Sequence, residues 1–491
     1  MNISIIGAGL GGLATSCLLA GKGYEITVFE KNDGPGGKMD QVINDGFRFD
    51  TGPSLLTMPE VLDEIFQKCG SRLSDYIKLI PLDPLCRYNF SDGAVFDSYH
   101  NQEKSLEAVR TIAPEDHQAY VDFLNYSSRL YDKTASSFLN NPLQRLSDLS
   151  GINLTDALRI DALKTVSDRI DQSFQSPYMR QFFKRFTTYN GSSPFKAPAT
   201  LNVIPHIELN QGGFYVDGGM YKIAGALLEL AQSRGVRFRF NAPVSEIKAL
   251  KGKITGIVSE GEFIGSDLVV ANSDASETYL NLINAESLKH SHRNKIEKLE
   301  PSCSGFVMLL GSDQKYSQLK HHNIFFSKDY QKEFTDIFDN LMMPADPTIY
   351  IANTSSTNPD HAMPGGSNLF VLINAPYLGH KINWSEHSEV YGRFIIKELE
   401  KRGLPGLQKS IRFQQIINPQ DFYKRYRSNK GSIYGTSSNK KLSAFMRPGN
   451  KSPWFKNLYL TGGSTHPGGG IPLVMLSALH VNTLIERDKK R

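Results

Sequence analysis

One stretch, Asn2 to Lys38, limits the possible folds of this chain more than any other. It begins with the β-rich run Ile3-Ser4-Ile5-Ile6 and turns through Gly7-Ala8-Gly9-Leu10-Gly11-Gly12. A helical run of small and apolar residues comes next, and Ile26-Thr27-Val28-Phe29-Glu30 closes the unit. Strand, G-x-G-x-x-G turn, helix and a second strand ending in an acid make a dinucleotide-binding βαβ unit. Gly7 permits the tight turn, Gly9 lets the backbone approach a pyrophosphate, and Gly12 allows close helix–strand packing. The free N–H groups at the helix start meet the phosphate charge. Glu30, eighteen residues after Gly12, is placed to accept hydrogen bonds from a ribose 2′-OH.

The residues after Glu30 narrow the choice of nucleotide. An NAD domain passes from its acidic strand into a crossover helix, whereas here Gly36-Gly37-Lys38 and a hairpin around Gly46-Phe47 intervene. That order points to FAD in an extended pose. The turn at Gly52-Pro53 brings backbone N–H groups and Ser54 toward the flavin ring. At the other end of the chain Leu458 to Gly463 reads as a strand and Ser464 to Pro472 as a glycine-rich loop. A helix from Leu473 to Ile485 comes next, so the loop meets a helix start where backbone can again approach a cofactor.

At 491 residues the chain is too long for one ordinary core. Two long excursions interrupt the nucleotide-binding pattern. We expect an FAD domain assembled from residues 1–72, 211–275 and 418–491, and a substrate lobe from 73–210 and 276–417. The first excursion carries short strands and then helical patterns at Ser105 to Ile112, Pro114 to Asn140 and Leu154 to Ser167. Buried strands are expected at Val236 to Val244 and Ser266 to Asn272. The second excursion contributes strands at Gly305 to Gly311, Thr348 to Asn353 and Asn368 to Ala375, able to extend a sheet begun in the first. The fold class is α/β, with a mixed-sheet and helical second lobe.

A net charge of +5 over this length does not imply nucleic acid. Charge is uneven, however: Phe422 to Ile485 holds no Asp or Glu, and its first part is rich in Lys and Arg. Such a face suits anionic lipid headgroups as well as plain solvation. Cys17, Cys69, Cys86 and Cys303 are widely spaced, which suggests a reduced cytosolic chain without a disulfide framework or metal site. The βαβ unit begins at residue 3, leaving no room for a signal peptide, and no apolar run reaches the roughly 20 residues of a spanning helix. Membrane contact, if present, is peripheral.

Taken together, these segments resemble the bacterial and fungal phytoene-desaturase family of carotenoid desaturases, within the wider group that includes amine oxidases. The match spans nearly the whole chain. It rests on the opening glycines with Glu30, on Gly36-Gly37-Lys38, and on Phe49-Asp50-Thr51-Gly52-Pro53. Phe214 to Met220, Asn241 to Ile247, Asn418 to Phe422, Gly431 to Gly435 and Thr465-His466-Pro467-Gly468-Gly469-Gly470-Ile471-Pro472 complete it. The last group is the most particular to carotenoid desaturases. The resemblance implies FAD held by Gly7, Gly9, Gly12, Glu30, Gly36, Gly37 and Lys38, with Ser54 and Leu55 near the ring and Val244 on the adenine. Asn272, Gly462, Gly463, Gly470, Ile471, Pro472 and Leu473 lie along the rest of the cofactor. Leu473 stands where phytoene desaturases usually have Gly, which leans toward the branch acting on hydroxylated or already conjugated acyclic carotenoids by 3,4-desaturation.

The implied reaction is loss of hydride from a carotenoid C–C bond to flavin, with oxygen or a quinone as final acceptor. The implied setting is the cytoplasmic face of a membrane holding the acyclic carotenoid. Three residues are candidates for catalysis: His466 in the glycine loop, whose near-neutral pKa suits proton transfer; Arg180, which matches an arginine near the family's site; and Glu208 at the lobe junction. Each also has a plain structural reading. Phe182, Phe183, Phe186 and Tyr189 have helical spacing, and Phe325, Phe326, Tyr350, Phe370 and Tyr377 sit in or near second-lobe strands; core packing and a substrate channel are the two uses of such aromatics. His321-His322 is not a metal motif, because adjacent side chains on a strand diverge. Other functions left open are phytoene or diapophytoene desaturation, oxidation of a carotenoid terminal methyl, an amine-oxidase-like reaction, and a non-catalytic isoprenoid carrier.

Overall fold

The computed structural model of the protein describes residues 1–143, 161, 163–284, 286–440 and 447–490. Most of the helix expected from Leu154, and Lys441 of the basic run, lie outside these residues.

A five-stranded parallel sheet carries the opening unit. Its order is Leu458–Leu460, Leu268–Ala271, Asn2–Ile6, Glu25–Phe29 and Arg237–Arg239. The central strands are runs of β-branched and apolar residues because both faces of a parallel sheet are covered. Alternation sorts their side chains. Ile3, Ile5, Val28 and Val270 join the helix-side core, whereas Ile6, Phe29, Val269 and Ala271 join a second core on the other face.

Helices Leu10–Leu19, Lys222–Ser233 and Ile471–Lys489 supply the first core, and all ten residues of Leu10–Leu19 are buried. The second core is closed by an antiparallel meander of Val244–Leu250, Lys253–Ser259 and Glu262–Gly265. Val236 to Val244, expected as one strand, is divided: Arg237–Arg239 pairs at the sheet edge and Val244 starts the meander.

A seven-stranded mixed sheet forms the other lobe. Its order is Ile411–Ile417, Ser304–Ser312, Ser367–Ala375, Ile349–Ala352, His322–Phe325, Cys86–Asn89 and Val95–Ser98. The second excursion therefore does extend strands begun in the first, and His322–Phe325 beside Cys86–Asn89 is the parallel pair. Helix Trp384–Lys401 covers one face through Ile395, Ile396 and Leu399. The opposite face packs on Phe47 and Phe49 of the hairpin Gln41–Asn44/Phe47–Asp50, and the rest of it looks onto a large internal cavity.

Helix His117–Thr134 and its π-helical end Ala135–Leu139 fill the span expected from Pro114 to Asn140. Phe182, Phe183, Phe186, Phe325 and Phe326 are buried core.

Candidate active site

Three glycine-rich turns converge at the carboxyl ends of the parallel strands, and Asn272 stands between them. Its N–H donates to Ile6 O at 2.8 Å and its Nδ2 to Thr461 O at 3.1 Å. A Cβ on Gly9 would lie 2.7 Å from Asn272 Oδ1, one on Gly11 2.7 Å from its Nδ2, and one on Gly462 2.4 Å from the same nitrogen. Only glycine permits this approach, and Gly462 also has φ +103°. A Cβ on Gly12 would meet Gly7 O at 2.1 Å, the close helix–strand contact expected of that position. Gly36 has φ +107° and donates to Ala8 O at 2.8 Å, tying the second glycine turn to the first.

Helix Leu10–Leu19 begins without a side-chain cap and without an acid in its first turn, so its N–H dipoles stay available to an anion. Glu30 is buried; its Oε2 accepts from Ala8 N–H at 2.7 Å and its Oε1 from Asn32 N–H at 2.9 Å. Lys38 Nζ donates to Ser432 O at 3.1 Å and Ile433 O at 2.6 Å. Burial lowers its pKa to about 8, partly opposed by Asp274.

A cavity of about 930 Å³ runs from these turns to the seven-stranded sheet. That is near the top of the roughly 300–1,000 Å³ range of small-molecule sites. Its apolar lining includes Leu55, Leu85, Val307, Ile324, Phe370 and Leu372. Two polar groupings share the lining. In the first, Tyr350 Oη is hydrogen-bonded both to Ser54 Oγ and, at 2.7 Å, to His322 Nδ1. In the second, Arg185 Nη2 donates to Glu208 Oε1 at 2.7 Å and Tyr189 Oη donates to Glu208 Oε2. Burial holds His322 well below the usual imidazole range, helped by His321 and Arg185, so its ring is neutral. Burial, reinforced by the Glu208 charge, raises the Tyr189 phenol far above its ordinary value.

Residues 10–485 match the family of flavin-containing amine oxidoreductases. The chain belongs to that family. It is 36% identical over 484 residues to the 4,4'-diaponeurosporene oxygenase of Staphylococcus aureus strain MSSA476, an alignment covering 98% of this chain and 97% of that protein. The same enzyme of strain USA300 is 35% identical with the same coverage. An oxidoreductase structure from Methanosarcina mazei superposes with TM-score 0.65 at 17% identity, covering 99% of this chain and 100% of that one. A putrescine oxidase variant gives 0.66 at 12% identity, covering 99% of both. These structures fix the architecture. This member of the family is an FAD-dependent oxidoreductase.

FAD suits the residues present: paired glycine turns that a Cβ would fill, an uncapped helix start, a buried acid one strand away, and a cavity long enough to continue past them. Gly7, Gly9, Glu30, Gly36, Gly37, Lys38, Ser54, Leu55, Val244, Asn272, Gly462, Gly463, Gly470, Ile471 and Pro472 all line that cavity. Leu473 is not among the lining residues, although its neighbours Pro472 and Val474 are.

The three catalytic candidates separate. Glu208 lies on the wall. Arg180 does not: its Nε donates to Phe174 O at 2.8 Å and its guanidinium faces Asp171 at 3.7 Å. His466 also lies off the lining, with Nε2 at 3.1 Å from Asn141 O and its ring stacked 5.3 Å from that of His480. Burial lowers its pKa to about 4, which leaves it neutral and a weak base.

Arg185 and His322 were not foreseen on the wall. No local motif marks them, because the Arg185–Glu208 pair and the Tyr350–His322 bond join residues far apart in sequence. Among the described residues no group of three or more His, Cys, Asp or Glu is disposed to hold a metal, and no helix is long and apolar enough to cross a membrane.

Proposed function

We propose that this enzyme oxidises the terminal methyl end of an acyclic carotenoid. Bound FAD supplies a two-electron acceptor for hydride leaving carbon. In this reading Gly7, Gly9, Gly36, Gly37 and the start of helix Leu10–Leu19 hold the pyrophosphate, with Lys38 as a nearby cation. Glu30 takes the ribose, Val244 the adenine, and Gly462, Gly463 and Gly470 to Pro472 the remainder. Leu85, Val307, Ile324, Phe370 and Leu372 offer a polyene the apolar surface it needs.

The observation that carries the reading is the mixed lining of the cavity: the apolar side chains named above share it with Glu208, Arg185, Tyr350 and Ser54. A bond desaturated in mid-chain calls for no hydrogen-bonding groups, whereas a chain end that acquires oxygen does. The end-to-end similarity to 4,4'-diaponeurosporene oxygenase supports the same choice. Substrate would be drawn from a membrane surface, and oxygen or a quinone would reoxidise the flavin. The test is anaerobic titration of the purified, FAD-loaded protein with acyclic carotenoids in liposomes and, separately, with alkyl amines and porphyrinogens. Carotenoids are expected to bleach the flavin. Bleaching by amines or porphyrinogens alone contradicts the proposal.

A further inference from the structure

The Arg185–Glu208 pair is a costly arrangement for a cavity that only receives hydrocarbon. Arg185 is 5% exposed and Glu208 2%. Packed apolar residues in place of such a pair are often neutral or stabilising, so the charges call for a reason beyond stability. Arg185 Nε donates to Tyr88 Oη at 3.0 Å, and Nη2 serves Tyr88 and Glu208. Its Nη1 makes no hydrogen bond among the described residues. Tyr350, His322 and Ser54 line the same cavity as Arg185 and Glu208, so both polar groupings face one space. A polyene has nothing to bond with an Arg N–H, a phenol and a carboxylate. Water has both donors and acceptors, and buried waters typically make about three hydrogen bonds to groups of this kind.

We propose that Arg185, Glu208 and Tyr350 hold a water molecule against the reacting chain end, and that this water, not molecular oxygen, supplies the oxygen atom of the product. The inference rests on the terminal-oxidation reading above. The end carbon gives up a hydride to FAD, the water oxygen bonds to that carbon, and one water proton passes to the Glu208 carboxylate. One C–H and one O–H bond break and one C–O bond forms. The two electrons leave later to oxygen or a quinone, none of whose atoms enter the product.

The experiment is a single turnover of the FAD-loaded protein with an acyclic carotenoid in liposomes, in water labelled with heavy oxygen and with dioxygen removed. The expected result is flavin bleaching with formation of a labelled terminal alcohol. A parallel aerobic reaction, its product reduced at once by borohydride to prevent carbonyl exchange, should also carry the label from water. If oxygenated product forms only in air and takes its label from heavy dioxygen, the water source is overturned while terminal oxidation stands. If the aerobic product is merely dehydrogenated, terminal oxidation itself fails, and this inference with it. Tyr350→Phe and Tyr189→Phe add a readout that poor folding does not move: the ratio of oxygenated to dehydrogenated product per flavin bleached. We expect Tyr350→Phe, which removes a direct contact, to lower that ratio about tenfold. Tyr189→Phe, acting through Glu208, should lower it less. An unchanged ratio in Tyr350→Phe overturns the water site.

Discussion

Glu208→Gln keeps the size of the side chain but removes the negative charge, and its single amide oxygen can accept from only one of the two donors, Arg185 and Tyr189. At 2.7 Å, and with an effective dielectric constant of about 20, the attraction to Arg185 is about 6 kcal/mol. Removing one partner of a buried pair typically costs about 3–5 kcal/mol, because the surviving charge stays desolvated. The double change Arg185→Met with Glu208→Leu, made in a Tyr88→Phe, Tyr189→Phe parent so that neither phenol loses its partner, removes both charges and keeps volume. It should return to within about 1 kcal/mol of the parent, since an apolar replacement of a buried pair is often neutral or better. The assay is urea unfolding tracked by circular dichroism, together with carotenoid turnover. The expected order of midpoints is parent and double variant close together, single variant well below, with the double variant inactive. A double variant as unstable as the single would show that the pair is structural. One that turned over normally would remove the pair from the chemistry.

The same geometry sets three other outcomes. Gly12→Ala puts a Cβ 2.1 Å from Gly7 O, so the protein should purify with little flavin; a parent-like flavin-to-protein absorbance ratio contradicts the packing role. Lys38 has a pKa of about 8 without cofactor, and a neighbouring pyrophosphate raises it, so FAD binding takes up protons above pH 8. FAD affinity, measured by fluorescence quenching, should therefore weaken as pH rises through that value in the parent but not in Lys38→Met. Buried His466 and His361 each have a pKa lowered to about 4. Both rings are neutral in the fold, and the unfolded chain binds more protons between pH 6.5 and 4, so their stabilising contribution is complete above 6.5 and lost as pH falls toward 4. The loss is on the order of 3 kcal/mol per ring at the acid end. His466→Gln should flatten part of that slope in unfolding measurements at successive pH values.

The glycine turns that converge on Asn272 were legible in sequence because their determinants are contiguous and backbone-driven. A glycine that must approach Asn272 or Gly7 O cannot be replaced by another residue, so spacing alone marks it. The reacting half of the site was not. His466 occupies the most distinctive motif of the chain, yet contacts with Asn141 and His480 hold it off the cavity, and nothing in a loop's composition reveals which way its ring is held. Glu208 was a candidate at the lobe junction, but nothing in the sequence pairs it with Arg185, which reads as an ordinary charge. Their burial exists only because the first excursion folds back on itself and the parallel pairing of His322–Phe325 with Cys86–Asn89 brings the second beside it. The meander after Val244 escaped the reading for another reason: its solvent-facing positions break the apolar runs used to recognise strands. The aromatic residues divided between the two uses open to them, with Tyr189, Tyr350 and Phe370 on the cavity and Phe182, Phe183 and Phe186 in the core.

The central claim, FAD-dependent oxidation of an acyclic carotenoid at its end, is tested most directly by the mass and fragmentation of the product made by purified, FAD-loaded protein from a single acyclic carotenoid in air. The account predicts a product that has gained oxygen on a terminal methyl carbon. A product that has lost hydrogen along the chain and gained no oxygen would contradict it.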